Sequence, residues 1–551
     1  MKKALYVLST LLTAATISAV GRAEDGKSQI SLAIDTSRPG HEISDYLFAV
    51  NHRYARCGYG MFDEKTMKVY PDFVEKSRNA AGCVRWPGGT IANLVNWKET
   101  IGPVKERKPQ HLGNVQHSED FPYYGLDEHM AYCEQIGAKC LIMVPFAGCK
   151  SAQDAADLVE YLNAPNDGSN PGGGTDWAKV RAKNGHPKPY GVKYFEIGNE
   201  MHDRNQRYWM NRPSSSGPDK DFRDKYANGD TVQGKGKGGK PEKHDGFVAF
   251  AREMKKIDPS ILVFSCLKDI WDFASDTSVC DGVVIHEYKT IGKAATKREL
   301  YDRWVHRGDT MSVAFPKDIA AARARAPRKD THVIITEYGV MPCPVVWTDG
   351  QGGQTRDEAR VLGRGLHLAT VLANLAKDPS VELLAHQGYT SYAFGGGPGL
   401  GSAGYIFNAL FSPDPKDLSK TISSAMALSY AMFAPLRGGK VLPVTLSGNP
   451  SVDSKSVDGY KALVALAAQT KDGKTALLVI NRDPERPLTA KLAVSGKSLP
   501  ATVSAQVFNG PDICSFNSPA HPDEVNIATV ELPVKDGCVT FPAHSIVTLT
   551  M

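Results

Sequence analysis

Beyond the first two dozen residues the chain has no run of about 20 apolar residues, so no later segment is long enough to cross a bilayer as a helix. An excess of charge of one sign is also missing. The 65 Lys and Arg against 60 Asp and Glu leave a formal net charge of +5 over 551 residues. That balance is too weak to imply a nucleic-acid partner. The ten cysteines follow no regular spacing, which excludes a disulfide scaffold read from pattern alone. Cys133 and Cys140 flank Glu-Gln-Ile-Gly-Ala-Lys, which is not a zinc-ligand spacing, and no other metal-ligand cluster stands out. Cys514 and Cys538 could pair with each other, while Cys266, inside Leu262-Val263-Phe264-Ser265-Cys266, is expected as a buried free thiol. No Gly-x-Ser-x-Gly elbow occurs, which argues against an esterase. Gly399-Leu400-Gly401-Ser402-Ala403-Gly404 matches the dinucleotide fingerprint but no βαβ unit follows it, so no cofactor is expected. Internal repeats of solenoid type are absent.

What is present begins with an export signal. Lys2 and Lys3 make a positive start, Ala4 to Ile17 is apolar, and small residues at Ala19 and Ala23 precede polar Glu24-Asp25-Gly26. Residues 1–23 are therefore expected to be a signal peptide, and the mature protein to be soluble and exported to a periplasm or the exterior.

From about residue 37 to 437, short β-branched runs alternate with amphipathic helical runs. Strands are expected at 46–50, 82–86, 140–145, 193–197, 261–266, 281–286, 333–336 and 381–385. Helices are expected at 126–136, 152–162, 247–257, 358–375 and 421–433. Eight parallel strands, each followed by a helix, close into a (β/α)8 TIM barrel. A Gly- and Lys-rich insertion, 211–245, follows the fourth strand and belongs over the active-site face. After residue 438 the pattern turns to short strands between turn signals, the mark of a β-sandwich over 438–551. The strand-like segment 28–36 is a candidate to join that sandwich.

Two of the barrel strands end in glutamate. Tyr194-Phe195-Glu196-Ile197-Gly198-Asn199-Glu200 closes the fourth strand, and Val333-Ile334-Ile335-Thr336-Glu337-Tyr338-Gly339 the seventh. In such a barrel the C-terminal strand ends build the active site. A carboxylic acid and a carboxylate facing each other there can protonate a glycosidic oxygen and attack the anomeric carbon. Glu196 lies four residues deeper than Glu200, inside the barrel, where a buried ion pair suits it better than catalysis.

Asn199-Glu200 after strand four, with Glu337 after strand seven, resembles the retaining glycoside hydrolases of clan A. More of the chain is similar to family 51, the α-L-arabinofuranosidases. The carrying motifs are Val84-Arg85-Trp86-Pro87-Gly88-Gly89 with Asn96-Trp97 and Ile101-Gly102-Pro103, Tyr124-Gly125-Leu126-Asp127-Glu128 with Ile136-Gly137-Ala138, Gly198-Asn199-Glu200-Met201, Ile285-His286-Glu287-Tyr288 and Pro542-Ala543-His544-Ser545. The resemblance implies Glu200 as acid/base and Glu337 as nucleophile, a carbohydrate substrate and no cofactor or metal. Two positions depart from the pattern: Asn51 stands where the family presents a sugar-binding Glu, and Thr90 where it has Asn. Both touch the arabinofuranose ring in the family, so the mechanism carries over more directly than the sugar. Other clan A activities (β-glucuronidase, β-xylosidase, endo-glycanase) and a non-catalytic sugar-binding protein stay open.

Supporting roles follow from the chemistry. Arg85 could fix the nucleophile and keep it charged, and Tyr288 could hydrogen-bond the same group. Asn199 could bond the sugar 2-hydroxyl. His286 is a candidate for the barrel mouth or for a satisfied core position. Trp86 and Trp97 could stack on sugar rings or fill the core.

Overall fold

The computed structural model describes residues 29–53, 58–110, 121–149, 151–201, 220–233, 241–292, 294–340, 360–390 and 409–551. The expected signal peptide and the Gly399–Gly404 fingerprint lie outside them, as do 211–219 and 234–240 of the insertion.

Eight strands close into a barrel in chain order: Ala49–Arg53, Cys83–Gly88, Lys139–Val144, Tyr194–Ile197, Leu262–Ser265, Gly282–Lys289, His332–Val340 and Leu384–Gln387. Every neighbouring pair is parallel, and the eighth strand pairs with the first. The strands are buried on both faces, which is why they read as near-continuous apolar runs. Polar side chains break those runs at Asn51, Arg85, Glu196 and Glu337, all buried.

Three shifts of register sit near the C-terminal strand ends. Ile285 pairs with Ile335 but His286 with Glu337, so Thr336 is an extra residue on the seventh strand. The pairing of the seventh strand with the eighth also slips, between Ile335 and Tyr338, and that of the first with the second slips after Asn51 and Arg85. A bulge turns a side chain that would point at the barrel wall toward the mouth. Here the slips lie beside the residues expected to carry the chemistry.

Local signals explain most element ends. Gly125 opens the helix Leu126–Ile136, its N–H bonded by Glu128 at 2.9 Å. Ser151 caps Ala152–Asn163 through the Asp154 amide. Several expected boundaries move: the eighth strand, expected over 381–385, is Leu384–Gln387, and the helix expected over 358–375 is Leu362–Leu375. The first strand starts at Ala49, because Ser44 accepts from the Tyr46 amide and starts a 3-10 turn over Asp45–Phe48. The expected helix 421–433 splits: Thr421–Ser423 is a strand paired with Phe411–Pro413, and Ser424 then caps a shorter helix, Ala425–Ala431. The insertion also holds regular structure, a helix Lys220–Asn228 and a hairpin of Gly229–Gln233 with Pro241–Asp245.

The C-terminal region builds two sheets. One has six strands, in the order Lys440–Leu442, Leu463–Gln469, Thr475–Asn481, Ser545–Thr550, Thr502–Asn509, Asn526–Pro533. The other has four, in which Ile30–Ile34 pairs with Val444–Ser447 on one side and Leu488–Val494 on the other. The N-terminal strand is thus a member of the C-terminal sheet. The helix Leu362–Leu375 is apolar on nearly every face because it lies between the helix Lys297–Ala324 and the six-stranded sheet.

The suggested Cys514–Cys538 bridge does not form. Neither thiol enters a disulfide, and Cys514 is buried against the carbonyl of Lys297 instead. Cys266 is a buried free thiol, in line with its strand-like context.

Candidate active site

Arg85 is the centre of the site. It projects from the second strand into the barrel and is fully buried. Its Nε and Nη2 donate to Glu196 at 2.7 and 3.0 Å, a two-pronged pair that fixes the plane of the guanidinium. The remaining edge reaches outward: Nη1 donates to Glu337 Oε1 at 3.0 Å and to Asn51 Oδ1 at 2.9 Å, and Nη2 to Asn199 Oδ1 at 2.7 Å. Burial alone would pull the Arg85 pKa down, but the charges of Glu196 and Glu337 outweigh it and hold the group above its ordinary value. Glu196 is thus the buried ion-pair partner, as its depth in the strand suggests.

Glu337 is held at both oxygens. Oε1 accepts from Arg85 and from Asn51 Nδ2 at 3.1 Å, and Oε2 accepts from the Tyr288 hydroxyl at 2.5 Å. Glu200 stands across the mouth, less buried than Glu337. Its backbone has φ 49°, in the left-handed region, two residues after Gly198 at φ 75°. Holding a glutamate there costs on the order of 1–3 kcal/mol, a kind of strain that clusters at functional sites. Asn93 stabilises the turn, because its Oδ1 accepts from the Asn199 amide at 2.9 Å and its Nδ2 donates to the Asn199 carbonyl at 2.8 Å.

His286 links the two glutamates. Its Nδ1 is 2.8 Å from Glu200 Oε1 and 3.8 Å from Glu337 Oε2, and its Nε2 is 3.1 Å from Thr336 Oγ1. One oxygen of Glu200, one of Glu337 and one His286 nitrogen lie within 4.8 Å of one another. A small cavity of about 110 Å³ opens beside Glu200 and His286, with Arg223, Lys268 and Asp269 along its wall.

The His286 pKa stands above its ordinary 6.5: burial lowers it, but the Glu337 charge and the Glu200 hydrogen bond outweigh that. A group with a raised folded-state pKa contributes stability fully below its unfolded value and loses it as pH rises through the folded one. Replacing His286 by Gln is therefore expected to cost most stability in acid. The gap in unfolding free energy between the two proteins, followed by denaturant titration, narrows as pH climbs past 6.5; a gap that widens contradicts the assignment.

The two tryptophans do not join this group. Trp86 faces out of the barrel and stacks on His129, with ring centroids 5.1 Å apart. Trp97 is buried between Tyr161 and Trp177 and donates to the Asp154 carbonyl at 3.1 Å. With 2 % exposure each, neither offers a face to a sugar. Their apolar surface stabilises the loop–helix packing instead. Sequence reasoning missed Asn93 and Thr336. Asn93 lies in a 3-10 turn with no motif around it, and Thr336 matters only through the bulge.

Gly88 faces the same network from the second strand. A Cβ there would come within 1.9 Å of Asn51 Oδ1. Gly88→Ala is expected to push the Asn51 amide off Glu337 and lower kcat about tenfold or more with little change in far-ultraviolet circular dichroism, the loss of one charge-assisted hydrogen bond being worth roughly 1.5–3 kcal/mol.

The sequence profile of the alpha-L-arabinofuranosidase 1 domain matches residues 79–306, and that of the alpha-L-arabinofuranosidase C-terminal domain matches 417–545. Over these two stretches the chain is similar to the alpha-L-arabinofuranosidase family. Among curated relatives of this family, the exo-alpha-(1->6)-L-arabinofuranosidase of Bifidobacterium longum is 30% identical over 179 residues, 31% of this chain and 33% of the relative. The extracellular exo-alpha-L-arabinofuranosidase of Streptomyces chartreusis is 32% identical over 152 residues, 22% of this chain and 17% of the relative. The chain thus matches at most about a third of the length of these two relatives. The solved family 51 alpha-L-arabinofuranosidase of Thermotoga petrophila superposes with a TM-score of 0.69 at 19% identity, over 95% of this chain and 100% of that one. At that identity the likeness establishes the fold. No helix among the described residues is long and apolar enough to cross a membrane.

Proposed function

We propose that this chain is a retaining glycoside hydrolase of arabinofuranosidase-like type that works by double displacement. The observation that carries the reading is the approach of Glu200 and Glu337, whose nearest oxygens, with His286 between them, lie within 4.8 Å. Carboxyl groups about 5–5.5 Å apart suit a covalent glycosyl-enzyme, whereas inverting enzymes hold theirs roughly 6.5–9.5 Å apart to admit a water.

In the first step Glu200 is the acid and gives its proton to the glycosidic oxygen as the bond to the anomeric carbon breaks. Glu337 attacks that carbon and forms the glycosyl ester. Arg85, Asn51 and Tyr288 hold Glu337 ionised and aimed until the bond forms. In the second step Glu200 takes a proton from water, the hydroxide oxygen attacks the same carbon, and Glu337 leaves as carboxylate. Both displacements invert, so the net result is retention. Asn199, its Oδ1 fixed by Arg85, is placed to bond the sugar 2-hydroxyl through its amide. His286 orients Glu200 and links it to the nucleophile.

The substrate of this reading is an oligosaccharide or polysaccharide of plant or algal origin, met outside the cytoplasm after export by residues 1–23. The names of the relatives are divided on location: one from Bifidobacterium longum is intracellular, that from Streptomyces chartreusis extracellular. Release of a mature protein beginning after Ala19 or Ala23, read by N-terminal sequencing of secreted material, tests export. A second reading, a different sugar in the same mechanism, is favoured by Asn51. Its side chain is committed to Glu337 and Arg85 and presents an amide where the family presents a carboxylate.

Glu200→Ala is expected to remove the alkaline limb of the pH–rate profile and to slow hydrolysis about 10²–10⁴-fold, least for aryl glycosides whose leaving group needs no proton. A profile with its alkaline limb intact overturns the acid/base role. Product configuration, followed by NMR during hydrolysis of an aryl α-L-arabinofuranoside and a panel of other aryl glycosides, tests the whole reading: an inverted first product rejects double displacement.

A further inference from the structure

On the outer face of the second barrel strand, away from the catalytic network, lies a second cluster of chemically capable side chains. His129 and Cys133 sit one turn apart on the helix Leu126–Ile136, and Cys140 on the adjoining strand Lys139–Val144. His129 Nε2 is 3.5 Å from Cys133 Sγ and 3.4 Å from Cys140 Sγ. The three atoms all lie within 4.8 Å of one another. The other ring nitrogen, Nδ1, is 3.0 Å from the Tyr124 hydroxyl, and the indole of Trp86 covers one face of the imidazole. All three side chains are buried, His129 at 0 %, Cys133 at 2 % and Cys140 at 7 % exposure.

We propose that His129, Cys133 and Cys140 form a buried two-sulfur, one-nitrogen site for a single thiophilic cation, zinc(II). The three donors fit three corners of a tetrahedral shell. Zn–S bonds of about 2.3 Å and Zn–N bonds of about 2.0–2.1 Å place neighbouring ligand atoms roughly 3.5 Å apart at a tetrahedral angle. Those are the spacings between the imidazole nitrogen and the two sulfurs. The donor set excludes calcium and magnesium, which take oxygen ligands. Charge selects between the thiophilic ions. Two thiolates, a neutral imidazole and a divalent cation sum to zero, which a dry interior tolerates, whereas a monovalent cuprous ion leaves a buried negative charge. The Tyr124 hydroxyl on Nδ1 is the outer partner that metal-bound histidines commonly keep, and it orients the ring with Nε2 toward the sulfurs. Loading releases any protons still on the two thiols. Because the three donors are buried, the ion would enter as the chain folds and act as a structural clamp. It would clamp helix to strand directly behind Trp86, whose neighbour Arg85 carries the catalytic network on the opposite face.

The test uses the full chain. Protein produced with zinc in the medium and dialysed against a weak chelator is expected to hold about one zinc per chain by elemental analysis. Unfolding in denaturant with chelator should release it, and refolding with cobalt(II) should restore a thiolate-to-cobalt charge-transfer band. Cys140→Ala and Cys133→Ala, each replacing a buried thiol by a small apolar side chain, are expected to lose both the zinc and the band while keeping the far-ultraviolet spectrum. Substoichiometric metal in folded wild-type protein, with no cobalt band on refolding, overturns the site. A mass lower by two hydrogens, restored by reductant, shows a Cys133–Cys140 disulfide and overturns it as well. Anaerobic refolding with cuprous ion in competition separates the two thiophilic metals: retention of zinc supports the charge argument, and its complete displacement by copper overturns the zinc assignment.

Discussion

Replacing Glu337 by Gly is expected to lower kcat on an activated aryl glycoside on the order of 10⁴-fold or more, because the proposed double displacement then has no nucleophile. The fold is expected to survive, since Arg85 keeps its two-pronged pair with Glu196. Azide provides the discriminating measurement. In the space left by the carboxylate, azide attacks the anomeric carbon as the aryl group leaves, so turnover returns and the product is a glycosyl azide of inverted configuration. NMR of that product reads the outcome directly. Unchanged turnover in the variant, without azide, removes Glu337 from the nucleophile role. The parallel variant of Glu196, the other carboxylate on Arg85, should show no azide rescue, because Glu196 lies below the guanidinium and away from the mouth.

Arg85→Ala is expected to be the most destabilising single change in the barrel interior. The arginine is fully buried and bridges Glu196 and Glu337, so its removal takes the paired guanidinium from both carboxylates and leaves only His286 as a nearby cation. Breaking a buried pair from one side costs about 3–5 kcal/mol, which the denaturant midpoint would show. Arg85→Lys is not expected to rescue it, since an ammonium cannot make the fork that Glu196, Glu337, Asn51 and Asn199 share. Combining Arg85→Ala with Glu196→Gln should recover part of the loss by removing one stranded charge, and the non-additivity of the double variant measures the coupling. Additive costs would show that Glu196 was never dependent on Arg85. Activity should stay lost in every one of these variants, because Glu337 no longer has a cation at Oε1.

Much of the barrel was readable along the chain. The helices Leu126–Ile136 and Phe247–Ile257 begin and end at the residues that periodicity assigns them, because each is a two-faced helix against a parallel sheet. The strands were visible as apolar runs, although the first began three residues late, where the Ser44 cap competes with extension. The reading of 421–433 as one helix failed because Thr421–Ser423 finds a strand partner in Phe411–Pro413, remote information that a helical period does not carry. A disulfide between Cys514 and Cys538 failed for a similar reason: spacing says nothing about where two sulfurs point, and the two do not bond to each other.

The two glutamates of the mouth were legible because barrel topology places strand ends at one mouth, so a Glu after strands four and seven has little choice of location. Arg85 and Tyr288 followed from what a nucleophile needs. The sequence could not separate Trp86 and Trp97 from true sugar platforms, since an indole looks the same in a cleft and in a core. Nor could it show that Asn51 and Asn199 both hang on one guanidinium, that Thr336 bulges to set His286 against Glu337, or that His129 meets two thiols across a helix and a strand. Residue order carries periodicity and motif, which decide element type and the ends of strands. Contacts between positions a hundred residues apart depend on register, parity and bulges, and those exist only once the sheet has closed.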